Sequence, residues 1–123
     1  MSKSARTIYV FFVYMIISGA AFVFAPNLAI VPLGFPEAHE LWVRVVGMLT
    51  IILGSYYGVM ARHEVRPFFM ATVYGRLSVS VFFAGFVLAK LAPPILLGLG
   101  LIDLLGAIWT WRALRDEAKF DLL

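Results

Sequence analysis

Nearly all of this chain is spent in four apolar runs, Thr7–Phe24, Leu41–Ala61, Phe68–Ala89 and Ile95–Trp111. Each is about 17–22 residues long, the length an α-helix needs to cross a hydrocarbon layer about 30 Å thick. Inside a bilayer no water satisfies backbone N–H and C=O groups, so such a run becomes a helix, which closes its hydrogen bonds within itself. The fold class predicted is all-α: an integral membrane four-helix bundle, up-down-up-down, built as a single transmembrane domain over residues 1–123. Its helices are expected at about 7–25, 41–61, 67–90 and 94–114. An apolar share of 63% in 123 residues is too high for a soluble domain of that size. Lys3 and Arg6 ahead of the first run imitate a secretory signal. That run is long, however, and Ala25-Pro26-Asn27 is a poor cleavage context, so it is read as a retained helix.

The net charge of +3 would suggest nucleic acid as the partner of a soluble protein, but here the basic residues cluster at helix ends and no nucleic acid is expected. Lys3 and Arg6 precede the first helix, Arg62 and Arg66 fill the link between the second and third, and Arg112, Arg115 and Lys119 follow the fourth. By the positive-inside rule these three segments share the cytoplasmic side, which puts both termini there. The bias also argues against dual topology. The expected location is a multi-pass position in a bacterial-type inner (plasma) membrane. The absence of cysteine rules out disulfides and thiolate metal sites.

Two charges lie deep in the runs. Arg76 sits inside Val73–Ser80, where an ionised side chain costs about 2.5–3.5 kcal/mol on insertion scales and needs a partner, a cavity or a function. Asp103 is the one acid at comparable depth. At about 1.5 Å per residue, Arg76 is about 13 Å past Pro67 and Asp103 about 13 Å before Arg112, measured from one membrane face. Matched levels predict a buried Arg76–Asp103 pair. Tyr14, Tyr57 and Tyr74 fall in the same half of the bilayer and complete a candidate ligand-binding cluster. The plainer alternative is that each ring packs while its hydroxyl bonds a neighbouring helix. Arg44 shares a helical face with Gly47, Ser55 and Gly58, and either snorkels to the outer surface or reaches toward Asp103.

Gly47, Gly54, Gly58, Gly75 and Gly106 are the expected points of close helix packing, with Ala71, Gly75 and Ser78 as a small-residue stripe on the third helix. The short link Arg62–Pro67 predicts that the second and third helices are antiparallel neighbours. His63 and Glu64 in that link read as a solvated turn rather than metal ligands. The segment Asn27–Glu40 contains the apolar tract Leu28–Phe35. It is expected in the outer interface, as a tether or as a lid over a cavity. The tail from Arg115 to Leu123 is expected to be a frayed or partner-docked helix end.

No phosphate loop, zinc spacing or other metal site is present, and the sequence leaves any cofactor unknown. An aspartate held by an arginine is a weak base, which weighs against an enzyme built on Asp103. Three readings stay open. The first is a binding or accessory subunit, in a homo-oligomer or with a partner membrane protein, touching membrane lipid or a lipophilic ligand such as a quinone. The second is an enzyme or carrier acting on a lipophilic small molecule in the Tyr/Arg/Asp pocket. The third is an oligomeric transporter or channel lined by Arg76 or Asp103. A depth-matched acid and base more often neutralise each other than conduct, which favours the first.

In Trp42-Val43-Arg44 followed by Gly47, in Gly75-Arg76 and in Asp103-Leu104-Leu105-Gly106-Ala107, the chain resembles the DoxX-like group of small four-helix membrane proteins, which includes a quinone-linked oxidoreductase subunit. The resemblance extends to helix count and length. It implies a membrane-embedded redox or stress-linked accessory role and raises the lipophilic-ligand reading.

Overall fold

The computed structural model describes residues 1–121, with side chains described through residue 118. The described residues are helical, without strands. The helices are α1 (Lys3–Phe24), α2 (Pro26–Ile30), α3 (Trp42–Arg62), α4 (Arg66–Leu88) and α5 (Leu96–Asp121), with a 3-10 turn at Val31–Leu33 after α2. All but α2 are long and apolar enough to cross a membrane. Their outward faces carry large apolar side chains such as Val10, Ile17, Val81, Phe82 and Leu105. In a bilayer these meet lipid, so that exposure carries no penalty.

Helix bounds differ from the apolar runs where polar groups extend a helix into water. α1 starts at Lys3 because the Ser2 side chain accepts from the Ala5 N–H at 3.1 Å, capping the first turn. α5 runs on to Asp121 rather than stopping near residue 114, because the charged segment after Trp111 is itself helical. Leu122 and Leu123, the end of the tail, lie outside the described residues.

Two close pairs make the bundle, α1 with α3 and α4 with α5, and α1 also packs on α5. On the α1–α3 seam, Gly19 faces Gly47, Met15 faces Gly54 and Phe12 faces Gly58, so ascending α1 descends α3. A Cβ on Gly47 would lie 2.7 Å from the Gly19 carbonyl oxygen and 2.8 Å from Phe22 Cβ. The missing side chains are what let the two backbones approach. On the α4–α5 seam, Ser80 and Phe83 meet Gly100, while Arg76 meets Gly106.

The expectation that the second and third helices pack as neighbours is corrected. α3 and α4 are joined by a short turn but do not pack along their lengths. They touch near that turn, where Tyr57 meets Phe68 edge-on with ring centroids 5.2 Å apart. A short link fixes where two helices begin, whereas side-chain complementarity decides which helix each lies against, and the small residues of α3 face α1. A cleft therefore remains between α3 and the α4–α5 pair. Its closed end is the core cluster of Ala5, Ile8, Phe11, Met15, Tyr57, Ala61 and Phe69.

Candidate functional site

Two polar systems lie inside the bundle. The first occupies the basic end, where Lys3, Arg62, Arg66 and Arg112 gather. There the Thr7 hydroxyl donates to the Ser4 carbonyl at 2.7 Å and shares a 2.7 Å hydrogen bond with the Thr110 hydroxyl. Arg76 Nη2 donates to Thr110 Oγ1 at 2.8 Å and to Thr72 Oγ1 at 3.0 Å, and its Nε donates to the Thr72 carbonyl at 3.2 Å. The guanidinium carbon stands 4.7 Å from the centroid of the Phe11 ring, a cation–π contact. Only 3% of Arg76 is exposed. One guanidinium nitrogen, Nη1, is buried without a hydrogen-bond partner, beside Gly106 and the Phe11 ring.

Arg76 and Asp103 form no ion pair, although each lies within electrostatic range of the other. The cause is side-chain direction. Helical side chains lean toward the N-terminus of their own helix. α4 begins at the basic end and α5 at the opposite one, so Arg76 reaches back to Thr72 while Asp103 leans away from it. Equal Cα depth did not bring the head groups together.

Asp103 instead belongs to the second system, a cavity of about 530 Å³. Phe11, Tyr14, Met15, Ile17, Ser18, Ala21 and Phe22 of α1 form one wall, Val46 and Thr50 of α3 a second, and Phe83, Leu99 and Asp103 a third. Ala29 of α2 and Leu33 of the 3-10 turn roof it. The segment read from sequence as tether or lid is thus part of the cavity wall. Its fold is held by Asn27, whose side-chain oxygen accepts from the Ala38 N–H at 2.7 Å, and by Gly34, whose φ of 91° few side chains tolerate. Ile17, on the cavity wall, is 65% exposed, so the cleft opens sideways onto the outer surface of the bundle. Among the described residues the Asp103 carboxylate has no hydrogen-bond and no ion-pair partner.

The other expected site residues are distributed as follows. Tyr14 lines the cavity. Tyr57 is buried in the closed end, stacked on Phe11 with centroids 6.2 Å apart. Tyr74 is 69% exposed on the outside of α4. Two residues apart on a helix are about 200° apart around it, so with Arg76 inward Tyr74 must face out. Arg44 does not reach Asp103: it is exposed, and its Nη1 donates to the Val23 carbonyl, an end group of α1. Ser55, expected on the face of Gly47 and Gly58, is exposed and bonds the Ile52 carbonyl. Gly47, Gly54, Gly58 and Gly106 lie against neighbouring side chains or backbone, whereas a Cβ on Gly75 would meet nothing within 4 Å. Ala71, Gly75 and Ser78 all face outward.

The sequence sets Thr72 beside Arg76 on one stripe of the third helix and Thr110 with Asp103 on the inward side of the fourth, but does not single out these two as the residues that hold Arg76, or Thr7 as the partner of Thr110. Threonines at helical spacing on two runs were the available signal. Glu64, read from the sequence as part of a solvated turn, accepts from the Ser2 N–H at 2.7 Å and the Ser2 hydroxyl at 2.6 Å and ties the α3–α4 turn to the start of α1. Nothing local in the sequence announces that contact across the bundle. Among the described residues no group of three His, Asp or Glu side chains converges as a metal site. Comparison with protein-family models, with curated proteins and with solved structures finds no match.

Proposed function

We propose that this chain is a membrane binding protein, crossing up-down-up-down with both termini on the cytoplasmic side, that holds a lipophilic molecule in the cavity beneath the α2 lid. The cavity carries this reading. At about 530 Å³ it lies in the range of small-molecule sites, about 300–1,000 Å³, and its lining is apolar except for Tyr14, Ser18, Thr50 and Asp103. The lateral opening suits a ligand that arrives from the lipid. Asp103 is the acceptor that would read its polar end, so a hydroxyl- or amine-bearing lipophile, such as a quinol, fits better than a carboxylic acid. Arg76, bound to Thr72 and Thr110, is a structural staple on this reading rather than the ligand's grip.

Native mass spectrometry of protein extracted in a gentle detergent tests it. The parent should retain a small lipophile, and Leu99→Trp, which fills the cavity, should lose it. A parent without ligand, or a Leu99→Trp variant that keeps it, would sink the reading. Association with a second copy or a partner membrane helix is favoured by a separate observation, the outward stripe of Ala71, Gly75 and Ser78, along which another helix can approach closely.

A further inference from the structure

A second pocket, independent of the cavity, lies on the outside of the α1–α5 seam at the basic end. Its volume is about 390 Å³ and it is lined by Lys3, Arg6, Trp109, Arg112, Ala113 and Asp116. Helical spacing assembles it: Lys3 and Arg6 are one turn apart on α1, and Trp109, Arg112 and Asp116 follow one another down one face of α5. The seam behind them is pinned, because Glu117 accepts from the Ser4 N–H at 2.9 Å and the Ser4 hydroxyl at 2.7 Å, and Thr7 meets Thr110. The two helices thus hold their cations in a fixed relation.

Among the described residues the charge of this pocket is only partly compensated. Glu117, the nearest other carboxylate on α5, is occupied by Ser4 and by Arg66 at 3.6 Å. Among the described residues Lys3, Arg6 and Arg112 have no ion-pair partner. Three cations face one acid, Asp116, leaving a net of two positive charges on the lining. Trp109, half-exposed, supplies a flat amphipathic wall of the kind that settles at a membrane interface. Beyond the pocket the same faces turn apolar and exposed, with Val10 and Val13 on α1 and Leu105 and Ile102 on α5. The surface passes from cationic to aromatic to aliphatic in the order of a phospholipid running from headgroup to acyl chain.

We propose that this pocket binds the phosphate headgroup of an anionic membrane phospholipid, with its acyl chains laid along the α1–α5 groove. The commitment to a lipid rather than a free phosphate rests on Trp109 and on the apolar strip that continues the pocket.

The test uses full-length protein stripped of lipid in neutral detergent. Thermal stability and bound mass are followed as phosphatidylglycerol, phosphatidylcholine or inorganic phosphate is added. Phosphatidylglycerol should raise the melting temperature and appear as a bound adduct, while the other two should do neither. Basic residues near a membrane surface each contribute about 1 kcal/mol, so Arg6→Gln and Arg112→Gln should each weaken binding about fivefold. Lys90→Gln, which removes a cation from another loop, should leave it unchanged. Equal stabilisation by phosphatidylcholine would overturn the proposal. So would equal stabilisation by phosphate, which would mark a soluble-anion site, or an equal loss in Lys90→Gln, which would mark overall charge as the cause. If a neutralised variant does not fold, Trp109→Ala decides: it should lose bound phosphatidylglycerol at unchanged charge, and full retention would refute the assignment.

Discussion

At the basic end of the bundle Ser4, Thr7, Thr110, Thr72 and Arg76 form one continuous hydrogen-bonded chain linking α1, α5 and α4. At the lid end Tyr14, Ser18, Thr50 and Asp103 border open space, and the Asp103 carboxylate takes no hydrogen-bond or ion-pair partner among the described residues. Both regions set polar groups among apolar helices, yet they differ in what answers the polarity. In the first region protein atoms saturate nearly every group, which makes a staple. In the second the protein supplies volume and leaves the acceptor to be answered from outside, which is the arrangement of a binding site. The charge at one level of a membrane helix therefore says less than the number of partners around it.

The difference can be attacked directly. The largest effect is expected at the seam that defines the cleft. Gly47→Leu drives a side chain into the Gly19 carbonyl, where even a Cβ would lie at 2.7 Å, and should cost about 3 kcal/mol or more in unfolding from detergent. Gly75→Leu, where a Cβ meets nothing within 4 Å in the same chain, should leave the unfolding of the single chain nearly unchanged. Similar losses from both would mean that the α1–α3 approach is not what holds the cleft.

Next in size is the contrast between the two polar regions. Thr110→Val removes an acceptor from Arg76 and the partner of Thr7, and should cost about 2 kcal/mol in an unfolding titration. Asp103→Asn breaks no hydrogen bond or ion pair and should change stability by less than about 0.5 kcal/mol. Had Arg76 and Asp103 formed a buried ion pair, removing one partner would cost about 3–5 kcal/mol. A large loss in Asp103→Asn would restore that pair and collapse the distinction between staple and site.

The smallest effect is pH-dependent and belongs to Glu64. Desolvation, the largest single influence, raises this carboxyl, but hydrogen bonds from the Ser2 hydroxyl and N–H, with the N-terminal ammonium and Arg66, together outweigh it and hold the group below its ordinary value of 4.5. A folded-state value below the unfolded one adds stability that is fully present above 4.5 and fades as pH falls through the folded value. The melting temperature of Glu64→Gln should therefore lie slightly below the parent at neutral pH and converge with it in acid. A gap that persists in acid would assign the effect to something other than the carboxylate charge. Because the pair is exposed, solvent screening keeps the gap small.

The four spans and their approximate ends were legible in the sequence because each apolar run has the length of a bilayer crossing, a local property that needs no partner. Gly47, Gly54 and Gly58 were legible as packing positions for a similar reason, since a backbone without side chains marks where another helix can come close. The Arg76–Asp103 relation was not legible. Counting residues gives Cα depth, but antiparallel helices aim side chains in opposite directions, and the resulting divergence exists only once α4 and α5 are placed together. Thr72, four residues before Arg76 on the same helix, is a local partner, but the Thr110 contact, the Ser2–Glu64 tie and the cavity under the α2 lid depend on which helix lies against which. Local hydrophobicity determines that a segment enters the membrane, and it is the same on every apolar face. The choice of neighbour comes from side-chain fit summed over whole seams, and only the tertiary structure decides it.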